Sequence, residues 1–220
     1  MMKLPTALLG AVRNTMGDHG DWHLARRPRR WIPVVDRPKW SQAREHYHNP
    51  KFVTEKGSGR EFLEFHRMMV RHFRWLIENT PGHNYVFIPW TDVPDWLRAG
   101  PDNPRGFSDE YLAEQNTKTS NLINNNSAST ADQLGSFLES TDVYDSSGLN
   151  FHNHSHGLIA GYEYKAGSGY EGAEMDDFAT AHYNEHFWKL HGLLDETYAS
   201  WQRARGETPD QSPLDPGVHH

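Results

Sequence analysis

Imidazole is the side chain with the most chemistry to offer here. Histidine occurs 15 times and cysteine not at all. Three separated segments present histidine on an apolar framework: Phe62-Leu63-Glu64-Phe65-His66-Arg67, then His152-Asn153-His154-Ser155-His156, then Phe187-Trp188-Lys189-Leu190-His191-Gly192-Leu193-Leu194-Asp195. Imidazole binds copper, iron, nickel and zinc well, and no thiolate competes for the metal. Segments of this kind suggest a metal site inside a helical core.

His152 and His156 are four residues apart. On a helix they share a face and can hold one metal, while His154 points elsewhere; on a strand all three would share a face. Three histidines within five residues favour metal binding over a polar surface loop. His66 and His191 each lie on an apolar helical face, where a histidine taken alone is more often a hydrogen-bonded core residue. Asp195, one turn after His191, is placed to orient a histidine, to hold an adjacent helix, or simply to face solvent.

The elements that must carry these residues can be read from period and punctuation. Phe62, Phe65, His66, Met69, Phe73 and Leu76 recur at helical spacing, which predicts a helix over 61–79 closed by Pro81-Gly82. Trp40 to His48 reads as a short helix stopped by Asn49-Pro50, within an otherwise irregular approach segment over 20–50. Residues 85–90 read as extended because of Pro89. Pro, Gly, Asn and Ser predict a long surface excursion over 91–130. Further helices are expected over 130–140, 150–161 and, after a loop at 167–172, over 178–205, either continuous or broken near its start and closed by Gly206.

Bulk properties narrow the function classes. A net charge of −7 with one short arginine cluster, Arg26-Arg27-Pro28-Arg29-Arg30, argues against a nucleic-acid partner. No apolar run approaches a membrane span. The N-terminal apolar stretch is short, contains Pro5 and ends at Arg13, so it reads as mature protein: cytoplasmic, or exported without a signal peptide of its own. Mean hydropathy is −0.83, a lean core offset by 8 Trp, 9 Tyr and 10 Phe. No linker divides the chain, so residues 1–220 are expected to form a single domain.

Taken in order, the motifs resemble the tyrosinase family of type-3 copper proteins. Phe62 to Arg67 is similar to the family's copper-A helix, and Ile88-Pro89-Trp90-Thr91-Asp92 to the stretch that follows it. Phe137-Leu138-Glu139, then His152-Asn153 and His156, resemble its Leu-Glu segment and first two copper-B histidines. Phe187 to His191 with Asp195 and Trp201 resembles its closing helix, and the likeness spans about residues 40–205. The resemblance implies a mainly α fold, a four-helix bundle enclosing two copper ions, with long irregular loops. It implies an oxidoreductase that uses O2 on small phenols, catechols or aminophenols, with or without a copper-delivery partner. Tailoring of a natural product or peptide is a rival on the same scaffold.

By position, the resemblance makes His66 a copper-A ligand and His152, His156 and His191 copper-B ligands. Glu139 and Asn153 match a pair that holds a deprotonating water. Gly192 and Leu193 would line the pocket. The family's second copper-A histidine has no match, since Thr54-Glu55-Lys56-Gly57-Ser58-Gly59 contains none. His46 and His48 are the nearest upstream histidines and are expected to complete copper A, with His19 and His23 as more distant substitutes. If copper A is incomplete, the chain would be a non-catalytic oxygen- or metal-binding protein, or a mononuclear site.

Overall fold

The helical spacing between Phe62 and Leu76 becomes the longest helix of a mainly α protein. The structure, a computed structural model, describes residues 4–16, 19–125, 129–139, 151–166 and 172–217. Its helices are α1 (Thr6–Thr15), α2 (His19–Ala25), α3 (Arg37–His46), α4 (Ser58–Asn79), α5 (Asp109–Asn124), α6 (Ala131–Glu139), α7 (Phe151–Ala166) and α8 (Glu185–Arg203). Short 3-10 turns at Arg29–Trp31, Val34–Asp36, Asp95–Leu97 and Ala181–Tyr183 join some of them. Among the described residues there is no strand, only an isolated bridge between Arg98 and Phe107. No helix among them is long and apolar enough to cross a membrane.

Helix α4 buries Phe62, Leu63, His66, Met69, Val70, Phe73 and Leu76 along one face. Its start is capped from outside. The Asp132 carboxylate on α6 accepts from the backbone N–H groups of Gly57 at 2.6 Å, Gly59 at 2.9 Å and Arg60 at 3.2 Å. Helix α6 lies so close that a Cβ on Gly135 would meet the Gly59 carbonyl oxygen at 1.9 Å. On its other side α4 meets α8. The Phe73 and Trp188 rings stack at 4.1 Å, and buried Arg67 on α4 pairs with Asp195 and Gln202 on α8 beneath the Tyr198 ring. Asp195 therefore holds the adjacent helix, one of the roles its position allowed.

Two expectations change. The excursion over 91–130 contains α5, a helix of 16 residues. Its apolar stripe is thin, with only Leu112 and Gln115 buried, so periodicity is weak. The cap was the better signal, because Ser108 accepts from Tyr111 N–H at 3.2 Å, with Asp109 and Glu110 in the first turn. The approach segment over 20–50 begins with α2 rather than irregular chain. Of the two forms expected over 178–205 the broken one is found, since the helix starts only at Glu185 after a 3-10 turn, and Gly206 at φ 74° ends it as expected. The loop expected over 167–172 lies almost wholly outside the described residues.

The α4–α6 contact yields a stability prediction. Gly135→Ala must push backbone apart and is expected to cost about 1–3 kcal/mol. Gly10→Ala, in α1 with open space around it, should be neutral or stabilise by under about 1 kcal/mol. Chemical denaturation midpoints check both, and equal midpoints for the two variants would contradict the packing.

Candidate metal centre

Four helices aim histidine at one buried volume. His66 comes from α4, His152 and His156 from α7, and His191 from α8. His19 and His23, one turn apart on α2, complete the group. All six but His23 are under 5% exposed, and His23 is half-buried. The ligand-capable nitrogens of His19, His23 and His66 lie within 4.8 Å of one another, as do those of His66, His152 and His191. His66 belongs to both triads, so the imidazoles form one continuous cluster. His156 adjoins it, its ring 4.7 Å from His152 and 5.4 Å from His191.

Hydrogen bonds orient the rings. The Nδ1 of His66 lies 2.8 Å from the Phe62 carbonyl oxygen, and that of His191 lies 2.7 Å from Phe187 O. His19 Nδ1 reaches Phe178 O at 3.0 Å, and His156 Nδ1 reaches Met175 O at 2.6 Å. A carbonyl can only accept, so each Nδ1 carries the proton and each Nε2 keeps its lone pair. The same arrangement fixes metal-binding histidines generally. The Nε2 atoms of His19 and His23 stand 3.0 Å apart, and those of His152 and His191 stand 3.1 Å apart. Ligands on one metal at bonds of about 2.0–2.1 Å are separated by about this distance. The Nε2 atoms of His66 and His156 are buried with no hydrogen-bond partner among the described residues. Such orphans are costly unless something binds them.

His46 and His48 do not join this cluster, which corrects the expectation that they complete copper A. Both are exposed. Helix α3 ends at His46, and the left-handed conformations of His48 (φ 54°) and Asn49 (φ 58°) turn the chain away. His19 and His23 stand beside His66 instead. The signal was present: His19-Gly20-Asp21-Trp22-His23 repeats the spacing of His152 and His156. His154 is exposed on α7 and packs its ring on Phe107 at 4.9 Å, away from the cluster.

The neighbours of the cluster also depart from expectation. Both carboxylate oxygens of Glu139 are held by buried Arg26, whose guanidinium also donates to Ser58 O at 2.7 Å. Burial pushes the Glu139 carboxyl up while Arg26 pulls it down. Exposed Asn153 donates to the Glu139 backbone carbonyl at 3.4 Å, so it reaches that residue's main chain rather than its carboxylate. Gly192 accommodates the extended stretch, since a Cβ there would meet Pro89 at 2.7 Å and Phe87 at 2.9 Å. Leu193 lines a small cavity with Thr91, Gln115 and Thr197 rather than the histidine cluster. Two residues that motif reading missed are Phe178 and His182. Phe178 is 43% exposed with its ring 4.8 Å from His23, which makes it the outer edge of the cluster. His182 is fully buried 5.9 Å from His19, and neither of its ring nitrogens has a hydrogen-bond partner among the described residues.

Burial keeps these imidazoles neutral, the form that binds metal. It depresses His19 to about 3 and His156 to about 4, and holds His23, His66, His152 and His191 well below 6.5. Repulsion between neighbouring imidazoles adds to the effect in His19, His23, His66, His152 and His191. A group with a depressed folded-state pKa makes acid favour the unfolded chain, which takes up protons first. Stability of the metal-free chain is therefore expected to be full above pH 6.5 and to fall steadily towards about 4. Circular dichroism melts across that range check it, and a melting temperature that is flat or rises with acid would contradict it. No family model, curated protein or solved structure matches the chain.

Proposed function

We propose that the chain is a dinuclear copper oxidoreductase that uses O2 to oxidise catechols or o-aminophenols to quinone-type products. The observation that carries the reading is the cluster of six inward-facing imidazoles, held on α2, α4, α7 and α8, with four Nδ1 atoms on backbone carbonyls. An all-imidazole donor set suits copper, and it also suits zinc, nickel and iron. The choice of copper rests on the order of the motifs, and in this reading the four ligand-bearing helices are the bundle expected from that resemblance. His19, His23 and His66 would hold one ion, and His152, His156 and His191 the other.

Bound copper would supply the redox equivalents and the Lewis acidity. The balance is two catechols oxidised to two quinones while O2 takes four electrons and four protons and leaves as two waters. The chain's own part is to hold the ligands neutral and to admit a flat ring past Phe178. The half-exposed Phe178 ring beside His23 offers an aromatic substrate an edge or face to pack on. A monophenol needs a base to remove its proton. Glu139 is committed to Arg26, which supports catechol or aminophenol oxidation over monophenol hydroxylation.

A second reading follows from one fact: His66 is shared by both triads, so a single ion at the centre is also served. Metal analysis separates the two. The dinuclear reading expects two copper ions per chain, one left after His191→Ala, and O2 uptake with catechol at least tenfold faster than with the matching monophenol. One ion in the wild-type chain would favour the mononuclear reading. Two ions with faster turnover of the monophenol would overturn the substrate preference.

A further inference from the structure

Histidines 152 and 156 sit on α7 and His191 on α8, yet these helices touch each other only lightly. A buried polar link joins them two turns before His191. Glu163 on α7 is 3% exposed, and both of its carboxylate oxygens accept from the Asn184 side-chain amide, at 3.0 and 2.9 Å. That amide also donates to Ala173 O at 3.0 Å. The Asn184 side-chain oxygen accepts from His186 N–H at 2.9 Å and so caps α8. Each polar atom of the Asn184 side chain is thus committed, and the residue is fully buried.

We propose that Glu163 is a positioning residue, a proton-sensitive clamp that holds the start of α8, and with it His191, in register with His152 and His156. The proposal rests on the reading that these three histidines share a metal. In its ionised form Glu163 grips the Asn184 amide with both oxygens, and charge strengthens those bonds. In its protonated form one oxygen becomes a donor. The imidazole Nε2 of His186 lies 3.8 Å from Glu163 Oε1, its ring 4.9 Å from that of Trp96. Protonation therefore weakens the grip on the cap.

The charged surroundings set where this happens. Glu185 and His186 face Glu163 from α8, and Glu174 and Asp176 face it from the preceding loop; Lys189 already pairs with Glu185 at 3.0 Å. Burial, and then the nearby carboxylates, push the Glu163 carboxyl up to about 7, while burial lowers His186 to about 4. The sign follows. Above pH 7 both folded and unfolded chains carry an ionised Glu163, and the folded chain bears the cost of burying it. Between about 7 and 4.5 only the folded chain takes up the proton, so this group adds stability as pH falls. The clamp is therefore tightest where burying its charge costs the fold most.

That opposition is the test. The metal-free Glu163→Gln variant, isosteric but uncharged, is expected to melt a few degrees above wild type at pH 8, with the difference closing by pH 5. The same variant should bind the second Cu(II) per chain about tenfold more weakly at pH 8. Asn184→Ser keeps a cap but loses the amide link, and should weaken the second copper equally. A merely structural residue would lower melting temperature and leave the pH dependence unchanged. A lower melting point for Glu163→Gln at pH 8, or unchanged second-copper binding in both variants, overturns the clamp. A wild-type chain that takes up only one copper contradicts the two-metal reading instead, and the melting comparison still decides the clamp.

Discussion

The cost of holding six uncharged imidazoles together inside the protein shapes much else in this structure. Each ring loses water on burial, and charged neighbours would repel one another. The chain meets this by tying four Nδ1 atoms to carbonyls: Phe62 and Phe187 one helical turn earlier, and Phe178 and Met175 in the loop before α8. The free Nε2 atoms then converge. Two orphaned Nε2 atoms, on His66 and His156, and the Nδ1 of His152 are the residual cost among the described residues, and a cation bound at the Nε2 atoms would remove part of it.

Rigid supports keep the ligand helices from relaxing apart. Arg67 on α4 holds Asp195 on α8, and Arg26, one turn after His23, holds Glu139 on α6. Both ion pairs are buried, where losing one partner strands the other's charge and costs about 3–5 kcal/mol. Gly59 and Gly135 let α4 and α6 approach to backbone contact. The Arg26–Glu139 pair also redirects chemistry. A carboxylate whose place in the sequence suggested a water-holding base is instead an anchor for the segment that bears His19 and His23.

Much of the frame was legible in the sequence. The apolar rows of α4 and α8 are long and regular, and His66 and His191 sit within them. The four-residue spacing of His152 and His156 identified α7 as a helix that turns two histidines to one face. What escaped reading was short or weakly patterned. Helix α2 has seven residues and lies among Pro and Arg, so its His19–His23 pair was given lower rank than nearer histidines. Proximity in sequence favoured His46 and His48, but a left-handed turn at His48 and Asn49 sends them outward. Helix α5 carries few buried apolar residues and was legible only through its Ser108 cap. The Arg26–Glu139 pair spans 113 positions, which no local pattern reveals.

The proposed function stands on an all-imidazole dinuclear copper centre supplied by α2, α4, α7 and α8. Copper K-edge X-ray absorption on the copper-loaded, reduced chain tests it most directly. The expected first shell is imidazole nitrogen alone at about 2.0 Å, by analogy with other metal–imidazole bonds, with one of the two coppers lost on His19→Ala/His23→Ala and neither on His46→Ala/His48→Ala. A shell rich in carboxylate oxygen, or a copper content that is unchanged by loss of His19 and His23 and falls with loss of His46 and His48, would contradict it.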